Sequence, residues 1–194
     1  MKKILLTGFE PFAGEKLNPA EIMLDEIHHR QVHGKILLPV SYEKSFSLLS
    51  AELSRGNYDR VVMLGLAGGR AKVGMERFLV NWADAEISDA DQVLKSGVAI
   101  SPNGPTAFQT ELPLGGWLAR ARSLQLPLEI SNSAGTYVCN YLAYRVAEKF
   151  WPSGFISLFV HLPFLPEQVV SKADNPPSLS KVAMRSCLEF ILDQ

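Results

Sequence analysis

The sequence predicts an α/β protein built on a largely parallel sheet with helices on both faces. Three observations carry that reading. Short apolar runs such as Ile4-Leu5-Leu6 and Val61-Val62-Met63-Leu64 stop close to glycines, as strands buried on both faces do. Segments with apolar residues at helical spacing alternate with those runs. The order strand, helix, strand, helix, strand at the start of the chain calls for crossover connections, which build parallel sheets. The 194 residues, 47% hydrophobic and 20% charged, suffice for one domain over residues 1–194 with its own core.

Lys3 to Thr7 is the first predicted strand, closed by Gly8. Asn18-Pro19-Ala20-Glu21 is a helix start, with Asn as N-cap, Pro in the first turn and Glu placed for a capping box. Ile22, Leu24 and Ile27 give that helix its apolar side. Lys35 to Val40 is a second strand. Tyr42 to Leu53 is a helix with Phe46, Leu49 and Leu53 on one face, and Val61 to Leu64 is a third strand. Glu76 to Trp82 reads as extended. The stretch from Asp84 to Pro113 carries no clear period, which inside a compact domain points to a functional loop or to hairpins. Leu114 to Leu124 is a short helix, Leu128 to Ile130 a strand and Thr136 to Phe150 a helix. Phe155 to His161 is another buried strand, and Ser178 to Leu192 is an amphipathic terminal helix.

Charge and composition exclude several classes of function. Nineteen Lys and Arg against twenty Asp and Glu leave a net charge of -1, without the basic excess of a nucleic-acid-binding surface. Two cysteines rule out a disulfide scaffold and a multi-cysteine zinc site. No apolar run approaches the roughly 18 residues of a membrane span. Met1-Lys2-Lys3 ahead of Ile4 could open a signal peptide, but the apolar run is too short for one. The expectation is a cytoplasmic protein with free thiols, no membrane contact and no nucleic-acid partner.

Cys139 follows a strand, a Ser133-Ala134-Gly135 turn and Thr136, which can cap the next helix. That places it in the first helical turn, where free N–H groups and the positive helix end favour a thiolate. Cys139 also shares a face with Leu142, Val146 and Phe150, so the spacing alone favours a core cysteine over a nucleophile. His161 lies where a buried strand runs into Pro163, at the strand end where α/β ligands gather. It is a candidate general base or a structural histidine. Glu76 is one of several carboxylates able to orient it. His28, His29 and His33 read as exposed, and Cys187, beside Leu188 and Ile191, as core. Gly65-Leu66-Ala67-Gly68-Gly69-Arg70 follows a strand but matches neither a dinucleotide nor a P-loop fingerprint. Close backbone packing, with Arg70 as an ion-pair donor, is the expectation there.

Four blocks in order resemble the pyroglutamyl peptidase I (pyrrolidone-carboxylate peptidase) family. They are Thr7-Gly8-Phe9-Glu10-Pro11-Phe12 with Asn18-Pro19; Ala67-Gly68-Gly69-Arg70 with Glu76-Arg77 and Asn81; Ala134-Gly135-Thr136-Tyr137-Val138-Cys139-Asn140 with Tyr144; and His161-Leu162-Pro163 with Pro166-Glu167-Gln168 and Pro177-Ser178-Leu179-Ser180. The resemblance implies a three-layer α/β/α sandwich and a cysteine omega-peptidase that removes N-terminal pyroglutamyl residues. It implies Cys139 as nucleophile, His161 as base and Glu76 as the orienting carboxylate, with no metal and no cofactor. The implied lactam pocket draws on Phe9, Phe12, Asn18, Tyr137, Val138 and Ile87. The implied assembly is a homo-oligomer, a dimer or tetramer.

Three stretches depart from the family pattern: Leu66 for Gln, Ala13 for Gly, and Glu86-Ile87-Ser88-Asp89 for Arg-Ile-Pro-Asp. An inward Glu86 would raise the thiol pKa and oppose an oxyanion. The alternative reading is therefore a weakly active or non-catalytic homologue that binds a small cyclic or N-blocked ligand.

Overall fold

The structure, a computed structural model, describes residues 2–194. In chain order its elements are β1 (Ile4–Phe9), α1 (Pro19–Glu26), β2 (Val32–Leu38), α2 (Tyr42–Arg55), β3 (Arg60–Leu66), β4 (Val73–Glu76), β5 (Phe78–Val80), β6 (Ala107–Gln109), α3 (Leu114–Ser123), β7 (Leu128–Ser131), α4 (Val138–Phe150), β8 (Ile156–Leu162), α5 (Pro166–Val169) and α6 (Lys181–Leu192). Six strands form one sheet in the order β2-β1-β3-β8-β4-β7. Every neighbouring pair is parallel except β4 with β8, where Gly74 faces His161 and Met75 faces Val160 in antiparallel register. β5 and β6 form a separate antiparallel pair.

Alternation along the strands divides the core in two. Val62, Leu64, Val160 and Met75 face one side and pack with Met23 of α1, Trp117 of α3 and Leu188 of α6. Val61, Met63 and Phe159 face the other, against Leu49 of α2 and Leu142 of α4. The sandwich is thus three-layered, with α1, α3 and α6 on one face and α2 and α4 on the other. Cys187 is fully buried in the first of these cores, as its helical spacing predicts.

Local starts follow the sequence closely. The Asn18 side chain accepts from Ala20 N at the head of α1, and Ser41 caps α2 by accepting from Lys44 N. The capping-box bond expected of Glu21 is not present among the described residues; Asn18 instead donates to the carbonyl of Glu10, closing the loop after β1.

The region from 84 to 113 yields one short strand, β6, and otherwise irregular backbone. Asp89 anchors it. This carboxylate is 2% exposed and accepts from the backbone N–H groups of Tyr42, Asp91 and Val93, each at 2.9 Å. The loop is thereby fixed to the positive end of α2.

Candidate active site

Gly135, at φ +75, turns the chain between β7 and α4. Tyr137 takes the N-cap position of α4 without any side-chain capping bond. Thr136, expected to cap, instead donates its hydroxyl to the carbonyl of Asp84. The first N–H groups of α4 are left without a side-chain cap, and Cys139 sits among them. Asn140 locks this end of the helix in place. Its amide accepts from Val80 N and donates to the carbonyls of Val80 and Trp82.

His161 lies near the end of β8 on the α4 side of the sheet. Its Nδ1 is 2.7 Å from Glu76 Oε1, in a pair whose side chains are 4% and 0% exposed. A carboxylate only accepts, so Nδ1 carries the proton and Nε2 is left free to take one. Arg70 donates from Nη1 to the same Glu76 oxygen at 2.8 Å and from Nη2 to the carbonyl of Ser133 at 2.9 Å. Glu76 Oε2 is buried without a partner.

Two glycines make room for this arrangement. Gly65 on β3 and Gly74 on β4 are the register partners of His161 on either side. A Cβ on Gly65 would stand 3.0 Å from Cys139 Sγ, and one on Gly74 would stand 2.5 Å from Arg70 Nη1. The thiol and the guanidinium therefore lie over the sheet positions flanking the histidine. Neighbouring strands run about 4.8 Å apart, so both groups come close to the ring.

Burial, with the Glu76 charge as the second cause, pushes the Cys139 thiol up to about 12; Arg70 and the helix N–H pull the other way without winning. Burial also lowers the pKa of His161, against the opposing pull of Glu76. Both shifts favour the neutral thiol and the neutral imidazole, because desolvation opposes the partial charge that the helix terminus offers a thiolate. Cys139 is itself only partly covered, because it opens onto a cleft.

That cleft, about 300 Å³ in volume, opens where the strand order reverses between β1 and β3. Phe9, Phe12, Asn18, Ile87, Tyr137 and Cys139 all line it. The Phe12 and Tyr137 rings pack at 5.8 Å between centroids. Val138 does not line it; its side chain is fully buried in the core against α2 and the sheet. Leu66, Val40 and Phe164 complete the apolar wall, and Glu15 and Leu17 border it. Glu86 is exposed and makes no hydrogen bond or ion pair among the described residues, whereas its neighbour Ile87 is on the wall. The cation beside the histidine–carboxylate pair is Arg70. The sequence marks it as an ion-pair donor but gives no sign that its partner is Glu76.

A family model described as pyroglutamyl peptidase matches residues 2–190. A pyrrolidone-carboxylate peptidase from Bacillus cytotoxicus is 34% identical, covering 100% of this chain and 92% of its own. Its counterpart from Pyrococcus furiosus is 37% identical over 98% of this chain and 100% of its own. The crystal structure of pyrrolidone carboxyl peptidase from Fervidobacterium islandicum superposes with a TM-score of 0.91 at 33% identity, covering 100% of this chain and 97% of that one.

Proposed function

The chain belongs to the pyroglutamyl peptidase family, and from that premise we propose that Cys139, His161 and Glu76 carry out the hydrolysis. The reaction is release of an N-terminal pyroglutamyl residue by a cysteine peptidase. The observation that carries the residue assignment is the buried His161–Glu76 pair, at 2.7 Å, beside a thiol that opens onto an apolar cleft.

His161 Nε2 takes the Cys139 proton as sulfur attacks the pyroglutamyl carbonyl carbon. The oxyanion forms at the uncapped start of α4, where N–H groups converge. The imidazolium returns the proton to the departing amine, leaving a thioester. Water, deprotonated by His161, then cleaves the thioester and restores the thiol. The Glu76 carboxylate, held by Arg70, favours the transient imidazolium. A pyroglutamyl ring is neutral and flat, so Phe9, Phe12, Tyr137 and Ile87 can enclose it without a charged partner.

The test is turnover of a chromogenic pyroglutamyl anilide against the same anilide of free glutamine. The ammonium of free glutamine would be buried with no free carboxylate, since Glu15 is held by Lys172 and Gln168. Preference for the pyroglutamyl substrate should exceed roughly a hundredfold. Equal cleavage of both anilides would overturn the pocket assignment.

The outward position of Glu86 removes the reason to expect a crippled site. Glu86→Gln and Glu86→Arg should each change kcat/KM by less than about threefold at physiological salt, because water and ions screen an exposed charge. An acceleration of tenfold or more in Glu86→Arg would show that the side chain turns inward during catalysis.

No helix among the described residues is long and apolar enough to cross a membrane. We further infer a cytoplasmic homo-oligomer. The exposed Trp82, Val93, Leu94 and Val98, all from one loop, support self-association.

A further inference from the structure

Gln168, part of the Pro166-Glu167-Gln168 block, makes no contact with the catalytic groups, yet it is 8% exposed and fully bonded. Its Oε1 accepts from Leu165 N at 3.0 Å, while Nε2 donates to Glu15 Oε2 at 3.1 Å and to the carbonyl of Leu17 at 3.0 Å. Glu15 also pairs with Lys172, whose ammonium lies 4.8 Å from the centre of the Phe164 ring. One buried amide thus ties the loop after β1 to the segment after β8.

Both tied segments carry cleft wall. The first brings Phe12, Ala13, Glu15 and Leu17, and the second brings Phe164. The first loop is closed at its base by Asn18, which grips the carbonyl of Glu10 at 2.9 Å. Between base and tip it turns through Ala13 and Gly14, at φ +56 and +80, with little regular hydrogen bonding of its own. Its distance from Phe164 therefore depends on the tie at Glu15 and Leu17. Cutting that tie frees one wall of the cleft while Cys139, His161 and Glu76 stay fixed to the sheet and α4.

We propose that Gln168, with Glu15 and Lys172, is a positioning strap that sets the width of the lactam pocket and makes it selective for a five-membered over a six-membered ring. The proposal rests on the peptidase reading for its substrate, but the strap can be tested by binding alone. A snug apolar pocket discriminates one methylene by roughly 10- to 200-fold, and a slack one discriminates far less.

The test measures calorimetric Kd values for 2-pyrrolidone and its six-membered homologue 2-piperidone, with steady-state kinetics on the pyroglutamyl anilide alongside. In wild type the five-membered ring should bind more tightly by at least about tenfold. Gln168→Ala should weaken 2-pyrrolidone by roughly tenfold and bring the two Kd values within about threefold. Its KM should rise with kcat nearly constant, the signature of lost binding that does not touch the transition state. Lys172→Met loosens the same strap from its more exposed end, so it should move both readouts the same way by less. Unchanged Kd values and ring-size ratio in a folded Gln168→Ala protein would overturn the proposal, as would a fall in kcat at constant KM. If wild type and Gln168→Ala bind the two lactams as expected but wild type cleaves no anilide, the peptidase reading is refuted and the strap upheld.

Discussion

Cys139→Ser should lower turnover of a pyroglutamyl anilide by on the order of 10⁴-fold or more while leaving the fold intact. The large effect follows from the raised pKa of the thiol. With the thiol pushed up to about 12, attack requires proton transfer to His161 at the moment of reaction. A serine hydroxyl is far less acidic still, and the same histidine cannot bridge the gap. Far-UV circular dichroism and the thermal midpoint should stay close to wild type, because the residue sits at the edge of the core where it opens onto the cleft and the exchange of sulfur for oxygen is nearly isosteric. Alkylation provides an independent check. Iodoacetamide should label Cys139 well before Cys187 and ever faster as pH rises into the alkaline range. Both thiols are raised to about 12, so access decides the order: Cys139 opens onto the cleft and Cys187 is fully buried. Residual activity within a hundredfold of wild type, or prior labelling of Cys187, would remove Cys139 from its role.

Glu76→Gln should cost about 10⁴-fold in kcat, the scale seen when the acidic member of a triad becomes its amide. The side chain keeps its shape but loses its charge. Its amide oxygen still accepts from Arg70 and from His161 Nδ1, but the imidazolium formed as sulfur attacks loses its counter-charge beside the Arg70 cation. The same change should move the thiol the opposite way. Glu76 is the second cause of the raised Cys139 pKa, and without its charge the thiol should titrate lower. Pre-steady-state alkylation against pH would therefore shift toward neutrality while catalysis collapses. Loss of activity with an unshifted alkylation profile would mean that Glu76 does not face the sulfur electrostatically.

The alternation of buried strands and amphipathic helices was legible because it reflects burial period, which sequence records directly. Cys139 at a helix start and His161 at a strand end were legible for the same reason. Arg70 was recognisable as an ion-pair donor, but not as the partner of Glu76, since no local pattern says which carboxylate six residues on will turn back toward it. The reversed direction of β4 was hidden too: a four-residue buried run reads alike either way. The loop from 84 to 106 lacked a period because Asp89 orders it through side-chain bonds to backbone N–H groups of the loop and of α2, not through a regular ladder. Its one departure of charge, Glu86, could not be assigned a side of the loop without knowing that its neighbour Ile87 lines the cleft.

The placement of β8 bears on how the chain is made as well as on how it works. Seven consecutive residues, Ile156–Leu162, pair with β3 on one side, and part of the strand pairs with β4 on the other. During synthesis β3 and β4 emerge long before the strand that belongs between them. A nascent chain ending before residue 156 therefore holds two unsatisfied strand edges that invite wrong pairing. Insertion of β8 joins the two halves of the sheet and delivers His161 in the same step, so enzymatic competence and protection from aggregation should be acquired together.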